Sequence, residues 1–288
     1  APDGAPWGSR FPVISTRDQV YAESRLADLL GIDEWSIVVG TSLGGHRAIE
    51  WATMYPGRVE RLVMVASGAQ TTAEQAAWAH TQIRAVQLDP HWNGGDYYDD
   101  AVGPVAGLAL ARQIAHTTYR SPAELEHRFG REENRGESVE GGLLGQPRGR
   151  YAIESYLDHH GSKLVERFDA NSYLAVNEAL ISHDVARGRG SLSQALARTD
   201  CEWTIAAVNT DRLFFPHESH RLAEALPNPV EVNIIESNHG HDGFLIEAKQ
   251  VERILACALG TAEDEPLDEK TREREALESI TSLYRTVA

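Results

Sequence analysis

Ser42 stands in Gly40-Thr41-Ser42-Leu43-Gly44, a G-x-S-x-G pentapeptide set between an apolar, β-branched run and a helix-forming one. A serine hydroxyl is a weak nucleophile at neutral pH and attacks a carbonyl only when a base takes its proton. Residues 35–39 read as a buried strand and residues 46–54 as a helix, so Ser42 falls on a sharp strand-to-helix corner. Such a corner strains its central residue and crowds its neighbours, so glycines are expected two before and two after; Gly45 adds a small surface for close helix packing. The helix N-terminus aims backbone N–H groups, beginning with that of Leu43, at developing negative charge. The pentapeptide alone fits an ordinary turn with an incidental serine; the strand before it and the helix after it favour a nucleophile.

For a nucleophile at this kind of corner, an acid and then a histidine follow in the chain, on loops after successive strands. Asp211 comes just past a strand at 201–208, and His239 and His241 come just past one at 230–236. Both loops open at the C-terminal ends of their strands, where the corner also points. Spacing selects Asp211. It leaves both histidines open, with a slight preference for His241, which has Gly240 on one side and Asp242 on the other. His46, His80, His116, His159, His160 and His183 sit on helical stretches and read as surface or core residues. "HDGF" and "DHHG" lack the ligand spacing of zinc motifs, so no metal site is expected.

The elements that must position these groups follow a helix–strand–helix–strand rhythm. Thr16-Arg17-Asp18-Gln19 reads as a capping box for a helix that ends at Leu30, with Gly31 as its stop. After Tyr55-Pro56-Gly57 turns the chain, residues 61–66 ("RLVMVA") form a second buried strand, as expected of a parallel sheet. From Thr71 to about Arg187 the pattern is helical, with a second capping box at Thr71 and Glu74 and a cap at Ser121-Pro122-Ala123-Glu124. Residues 130–150, rich in Gly, Arg and Glu, read as a loop. Strand 201–208, helix 217–226, strand 230–236 and a last core helix to Leu259 resume the rhythm. The organisation predicted is therefore a discontinuous core, 1–69 with 196–260, and an inserted helical lid over 70–195. Residues 261–288 begin acidic and place Leu277, Ile280, Leu283, Tyr284 and Val287 on one helical face, which suits packing on the body or on a partner subunit.

The 288 residues suffice for one large core or a core with a cap. The formal charge of −16 argues against nucleic acid as a partner. No stretch is apolar and long enough to span a bilayer, and no signal peptide opens the sequence, so no membrane is expected. Cys201 and Cys257 are too few for a disulfide framework, which suits the cytoplasm. These features describe a serine-nucleophile enzyme with a helical cap. Hydrolase and acyltransferase stay equally open, since water and an alcohol can both attack an acyl-enzyme.

Six blocks taken together resemble homoserine O-acetyltransferases of the α/β-hydrolase type. They are "WGSRFPVISTRDQV", "GTSLGGHRAIEWA", "DPHWNGGDYY", "GLALARQIAHTTYRS", "ESYLDHHGSKLVERFDANSYL" and "SNHGHDGFLIE", in order over residues 7–258. The resemblance implies an α/β-hydrolase fold with a parallel sheet core, a helical lid and a homodimer formed through lid helices. It implies acetyl transfer from acetyl-CoA, a co-substrate with no bound cofactor, to the side-chain hydroxyl of L-homoserine by a ping-pong path in methionine synthesis. By motif, Ser42 resembles the family's nucleophile, Asp211 its orienting acid and His241, in preference to His239, its general base. Arg112 resembles the arginine for the amino-acid carboxylate, and Tyr119 and Asp242 the other homoserine contacts; a guanidinium fork suits a carboxylate and an aspartate an ammonium. Members commonly read G-G-S-M-G-G-M at the corner, so Leu43 and His46 are departures that bear on the acyl pocket. Relatives that use succinyl-CoA, or serine as acceptor, share much of the pattern.

In this fold several strands precede the nucleophile, whereas 41 residues precede Ser42 here. The expectation is a chain without its opening strands, either a fragment or a truncated product. It would lack the loop that supplies one oxyanion N–H, leaving that of Leu43, and losing one such donor costs about 10²–10³ in rate. An inactive remnant that only dimerises is thus an alternative to the acyltransferase, as is a simple serine esterase.

Overall fold

The computed structural model describes residues 1–139 and 148–261. The described residues divide into two compact units, Ala1–Gln19 with Thr71–His183, and Val20–Gln70 with residues 184–261. The amphipathic stretch expected near the C-terminus lies outside the described residues.

The second unit is built on a four-stranded parallel sheet in the order β1-β2-β5-β6: Val38–Thr41, Arg61–Val65, Glu202–Val208 and Val232–Ile235. Strand β1 begins three residues later than the apolar pattern suggests, because Trp35 makes only an isolated bridge to Val59 before the ladder starts. The period-two alternation of β2 sends Leu62 and Met64 to one face and Val63 and Val65 to the other. Both faces are covered, which is why the strand reads as a continuous apolar run. Leu62 and Met64 pack with Ile205, and with Ile49 from α2 (Leu43–Met54) and Leu222 from α9 (Pro216–Ala225). Val63, Val65, Val208 and Ile235 pack with Ile254 of α11 (Ala248–Ala258), which follows the short α10 (Gly243–Ile246). The helix α1 (Thr16–Leu29) contributes Val20 and Ala27 to the first of these clusters, and α8 (Leu192–Leu196) contributes Leu196.

The first unit is mainly helical: α3 (Ala73–Gln87), α4 (Val105–Tyr119), α5 (Pro122–Phe129), α6 (Ala152–Val165) and α7 (Ala170–Ile181). Ile83, Val86, Leu108, Ala111, Leu164 and Leu174 form its core. The 130–150 stretch is not all loop: β3 (Glu133–Val139) pairs antiparallel with β4 (Arg148–Tyr151). Strand β3 is largely exposed and β4 mostly half-buried, and neither strand buries an apolar face, so the pair carries no apolar alternation to announce it.

Two caps fall one residue from their predicted positions. At the start of α1, Ser15 and Asp18 exchange hydrogen bonds, while the Thr16 hydroxyl lies 3.0 Å from His183 Nδ1. The box opening α3 is Thr72 with Gln75 rather than Thr71 with Glu74. The Ser121 cap holds as read, with its side chain accepting from the Glu124 N–H.

Candidate active site

Ser42 adopts φ 52° and ψ −126°, outside the regions an L-residue prefers. Such a conformation costs on the order of 1–3 kcal/mol and persists only where its surroundings fix it. Here the end of β2 does so: the Ser42 N–H donates to the Val65 carbonyl (3.1 Å) and Ser67 Oγ donates to the Ser42 carbonyl (2.8 Å). The glycines around the corner divide unequally. A Cβ at Gly40 would fall 2.6 Å from the Ala48 Cβ, and one at Gly45 would collide with Ser67. A Cβ at Gly44 would meet nothing within 4 Å. Crowding therefore demands Gly40 and Gly45; the expectation that Gly44 is needed for space is corrected.

Strand β1 delivers Ser42 to the top of the sheet, and the loops after β5 and β6 deliver Asp211 and His241 to the same place. His241 Nε2 lies 2.9 Å from Ser42 Oγ, and His241 Nδ1 lies 2.6 Å from Asp211 Oδ2. Asp211 and His241 are both buried, while Ser42 is half-buried. The other carboxylate oxygen of Asp211 accepts the backbone N–H groups of Leu213 (2.8 Å) and Phe214 (2.9 Å), which leaves Oδ2 aimed at the imidazole. Thr210 braces the two loops, its hydroxyl donating to the Ser237 carbonyl and accepting the Gly240 N–H. A buried carboxylate on Nδ1 fixes the tautomer that leaves Nε2 unprotonated and able to take the serine proton. The imidazole set against Asp211 is thus that of His241; the backbone N–H of His239 donates to Ser237 Oγ.

Leu43 opens α2, so its N–H belongs to the first turn beside the hydroxyl. Asp242 follows His241 in the single turn Gly240–Asp242 and is half-buried. Arg112 and Tyr119 lie about two turns apart on α4 in the other unit, with the guanidinium 5.3 Å from the centre of the Tyr119 ring.

Sequence reasoning missed three contributors: Ser67, Thr210 and Phe214. Only Phe214 left a trace in the sequence, as an aromatic three residues after the acid. Among the other histidines, His46 is fully buried on α2, and burial pushes its pKa down to about 3. His116 and His160 stack at 4.0 Å, joining α4 to α6, and desolvation first, then neighbouring cations, pushes them down to about 3 and about 4. His183 lies just past α7 rather than on a helix. Among the described residues, no group of three or more His, Cys, Asp or Glu side chains is placed to hold a metal ion.

The alpha/beta hydrolase fold family matches residues 2–248. A homoserine O-acetyltransferase of Thermobifida fusca (strain YX) is 50% identical over 256 residues, 88% of this chain and 66% of that protein. Its counterpart in Mycobacterium tuberculosis (strain ATCC 25177 / H37Ra) is 46% identical over 265 residues, 92% of this chain and 68% of that protein. The chain belongs to the homoserine O-acetyltransferase family. It spans about two thirds of the length of these homoserine O-acetyltransferases. Among solved structures, the homoserine O-acetyltransferase from Bacillus anthracis is similar with a TM-score of 0.75 at 28% identity, over 88% of this chain and 68% of that one. Esterase E22 is similar with a TM-score of 0.79 at 27% identity, over 90% of this chain and 70% of that one.

Proposed function

We propose that this chain transfers an acetyl group from acetyl-CoA to the hydroxyl of L-homoserine through an acetyl-serine intermediate. The observation that carries the reading is the continuous hydrogen-bonded path Ser42–His241–Asp211 in a member of this family. Ser42 Oγ attacks the thioester carbonyl as His241 Nε2 takes its proton, and the Leu43 N–H receives the developing oxyanion. Collapse breaks the C–S bond, and His241 returns the proton to the departing CoA thiolate. In the second half, His241 takes the proton of the homoserine hydroxyl, whose oxygen attacks the acetyl-serine carbonyl. Ser42 then leaves with the proton from His241, releasing O-acetylhomoserine. Asp211 stays ionised throughout and stabilises the imidazolium formed in each half.

Arg112 is proposed to hold the homoserine carboxylate, Asp242 its ammonium, and Tyr119 to complete the acceptor contacts. The cation–π arrangement of Arg112 over Tyr119 supports a preset fork, because it restrains a side chain that otherwise loses much rotamer freedom on binding. The proposal extends to a cytoplasmic homodimer acting in methionine synthesis, with no nucleic acid or membrane partner.

Incubation with acetyl-CoA and L-homoserine should release free thiol, and Ser42→Ala should abolish the release. Thiol release indifferent to that substitution would end the proposal. A serine esterase is the second reading, favoured by the likeness to esterase E22. Hydrolysis of a simple acetyl ester, at a rate that added homoserine leaves unchanged, would select it.

A further inference from the structure

Phe214 bears on the acid, on the base and on the helix of the nucleophile. We infer that it is a positioning residue for the base, its ring face holding the His241 imidazole in line between Asp211 and Ser42. This rests on the serine–histidine–aspartate reading above and adds a residue to it.

The geometry is specific. Phe214 is 1% exposed and, among the described residues, is the bulkiest of the fully buried side chains. Its ring stacks on the His241 imidazole at 5.5 Å with an interplanar angle of 26°. On the nucleophile's own helix, one turn after Ser42, His46 packs T-shaped with the same ring at 5.5 Å and 70°. The Phe214 backbone N–H meanwhile donates to Asp211. One residue therefore touches the helix that carries the nucleophile, the acid and the base. Phe244 also packs against the imidazole, T-shaped at 5.4 Å.

An imidazole held by two hydrogen bonds can still rock about the line joining them; an aromatic face under it opposes that motion and excludes water. When His241 becomes an imidazolium in each half-reaction, a π face within about 6 Å attracts the new charge. His46 suits its place against the ring, because burial pushes its pKa down to about 3, so it is uncharged at neutral pH and does not oppose that charge.

The test reads both rate and spectrum. Phe214→Leu keeps apolar bulk and the backbone N–H but removes the face. It should lower the acetylation rate of Ser42 by acetyl-CoA about tenfold with KM for the donor unchanged. It should also broaden the low-field proton resonance of His241 Nδ1–H, and Phe214→Tyr, which keeps the face, should restore rate and line width. A sharp resonance and a wild-type rate in Phe214→Leu would overturn the inference. Should Phe214→Leu fail to fold, Phe214→Met, which also removes the face, replaces it, with a loss of about tenfold and the same broadening expected; no change in either would overturn it equally. Absence of the resonance from the unsubstituted protein would refute the Asp211–His241 bond itself, and with it the reading on which the inference rests.

Discussion

Imidazole rings gather in both units of this protein, and the two gatherings have different chemistry. In the sheet unit, His241 has a buried carboxylate on one nitrogen and a serine hydroxyl on the other. In the helical unit, His116 and His160 stack face to face; among the described residues, His116 Nδ1 reaches only the Tyr156 hydroxyl, at 3.3 Å, and its buried Nε2 has no hydrogen-bond partner. Burial first, then Arg112, His160 and Arg120, oppose the protonation of His116. A histidine becomes a base by virtue of a partner that stabilises its charged form; buried without one, it is a polar aromatic spacer.

Substitutions can break this contrast. Ser42→Ala should cut turnover about 10⁵-fold, since the members of such a relay act as a unit. Asp211→Asn should cost about 10⁴-fold by allowing the wrong His241 tautomer, measured as thiol release at saturating donor. Arg112→Ala should raise KM for homoserine by roughly ten- to a hundredfold, the worth of hydrogen bonds to a charged group, while the half-reaction that acetylates Ser42 stays intact. If that half-reaction fell in parallel, Arg112 would have a structural role instead. His116→Phe should leave kcat within about threefold, because removing a buried unpartnered nitrogen offsets the lost bond to Tyr156. A loss comparable to that of Asp211→Asn would erase the distinction between the two gatherings.

Acid unfolding sharpens the same contrast. His46 has a folded-state pKa of about 3, below its ordinary value of 6.5. As the pH falls below 6.5 the unfolded chain takes up a proton that the folded chain refuses, so stability is lost progressively down to about pH 3. For a group this buried the slope is about 1.4 kcal/mol per pH unit. Urea unfolding between about pH 7 and pH 4 should therefore show a shallower decline in His46→Met than in the unsubstituted protein. Equal slopes would mean that His46 is hydrated in the folded state.

Much of this arrangement is legible in the sequence because it depends on local chemistry. The apolar runs mark the strands, the turn residues mark their ends, and the corner glycines mark the strained serine. Asp211 could be chosen by its place after β5, whereas choosing His241 over His239 needed the family resemblance, since both lie in one short loop and local pattern is silent. Long-range partners account for what was missed. The α1 cap sits at Ser15 because the Thr16 hydroxyl meets His183, 167 residues away. Ser67 has its place against Gly45 only once β2 and α2 pack. Phe214 stood in plain sight in "DRLFFP", but nothing in the sequence says which of two adjacent phenylalanines faces the base.

The central claim is that Ser42 carries the acetyl group, and mass spectrometry of the protein after exposure to acetyl-CoA alone tests it most directly. The expected result is a single acetyl group on the peptide containing Ser42, which disappears when L-homoserine is added. No acetylation, or acetylation on another residue that persists in Ser42→Ala, would contradict it.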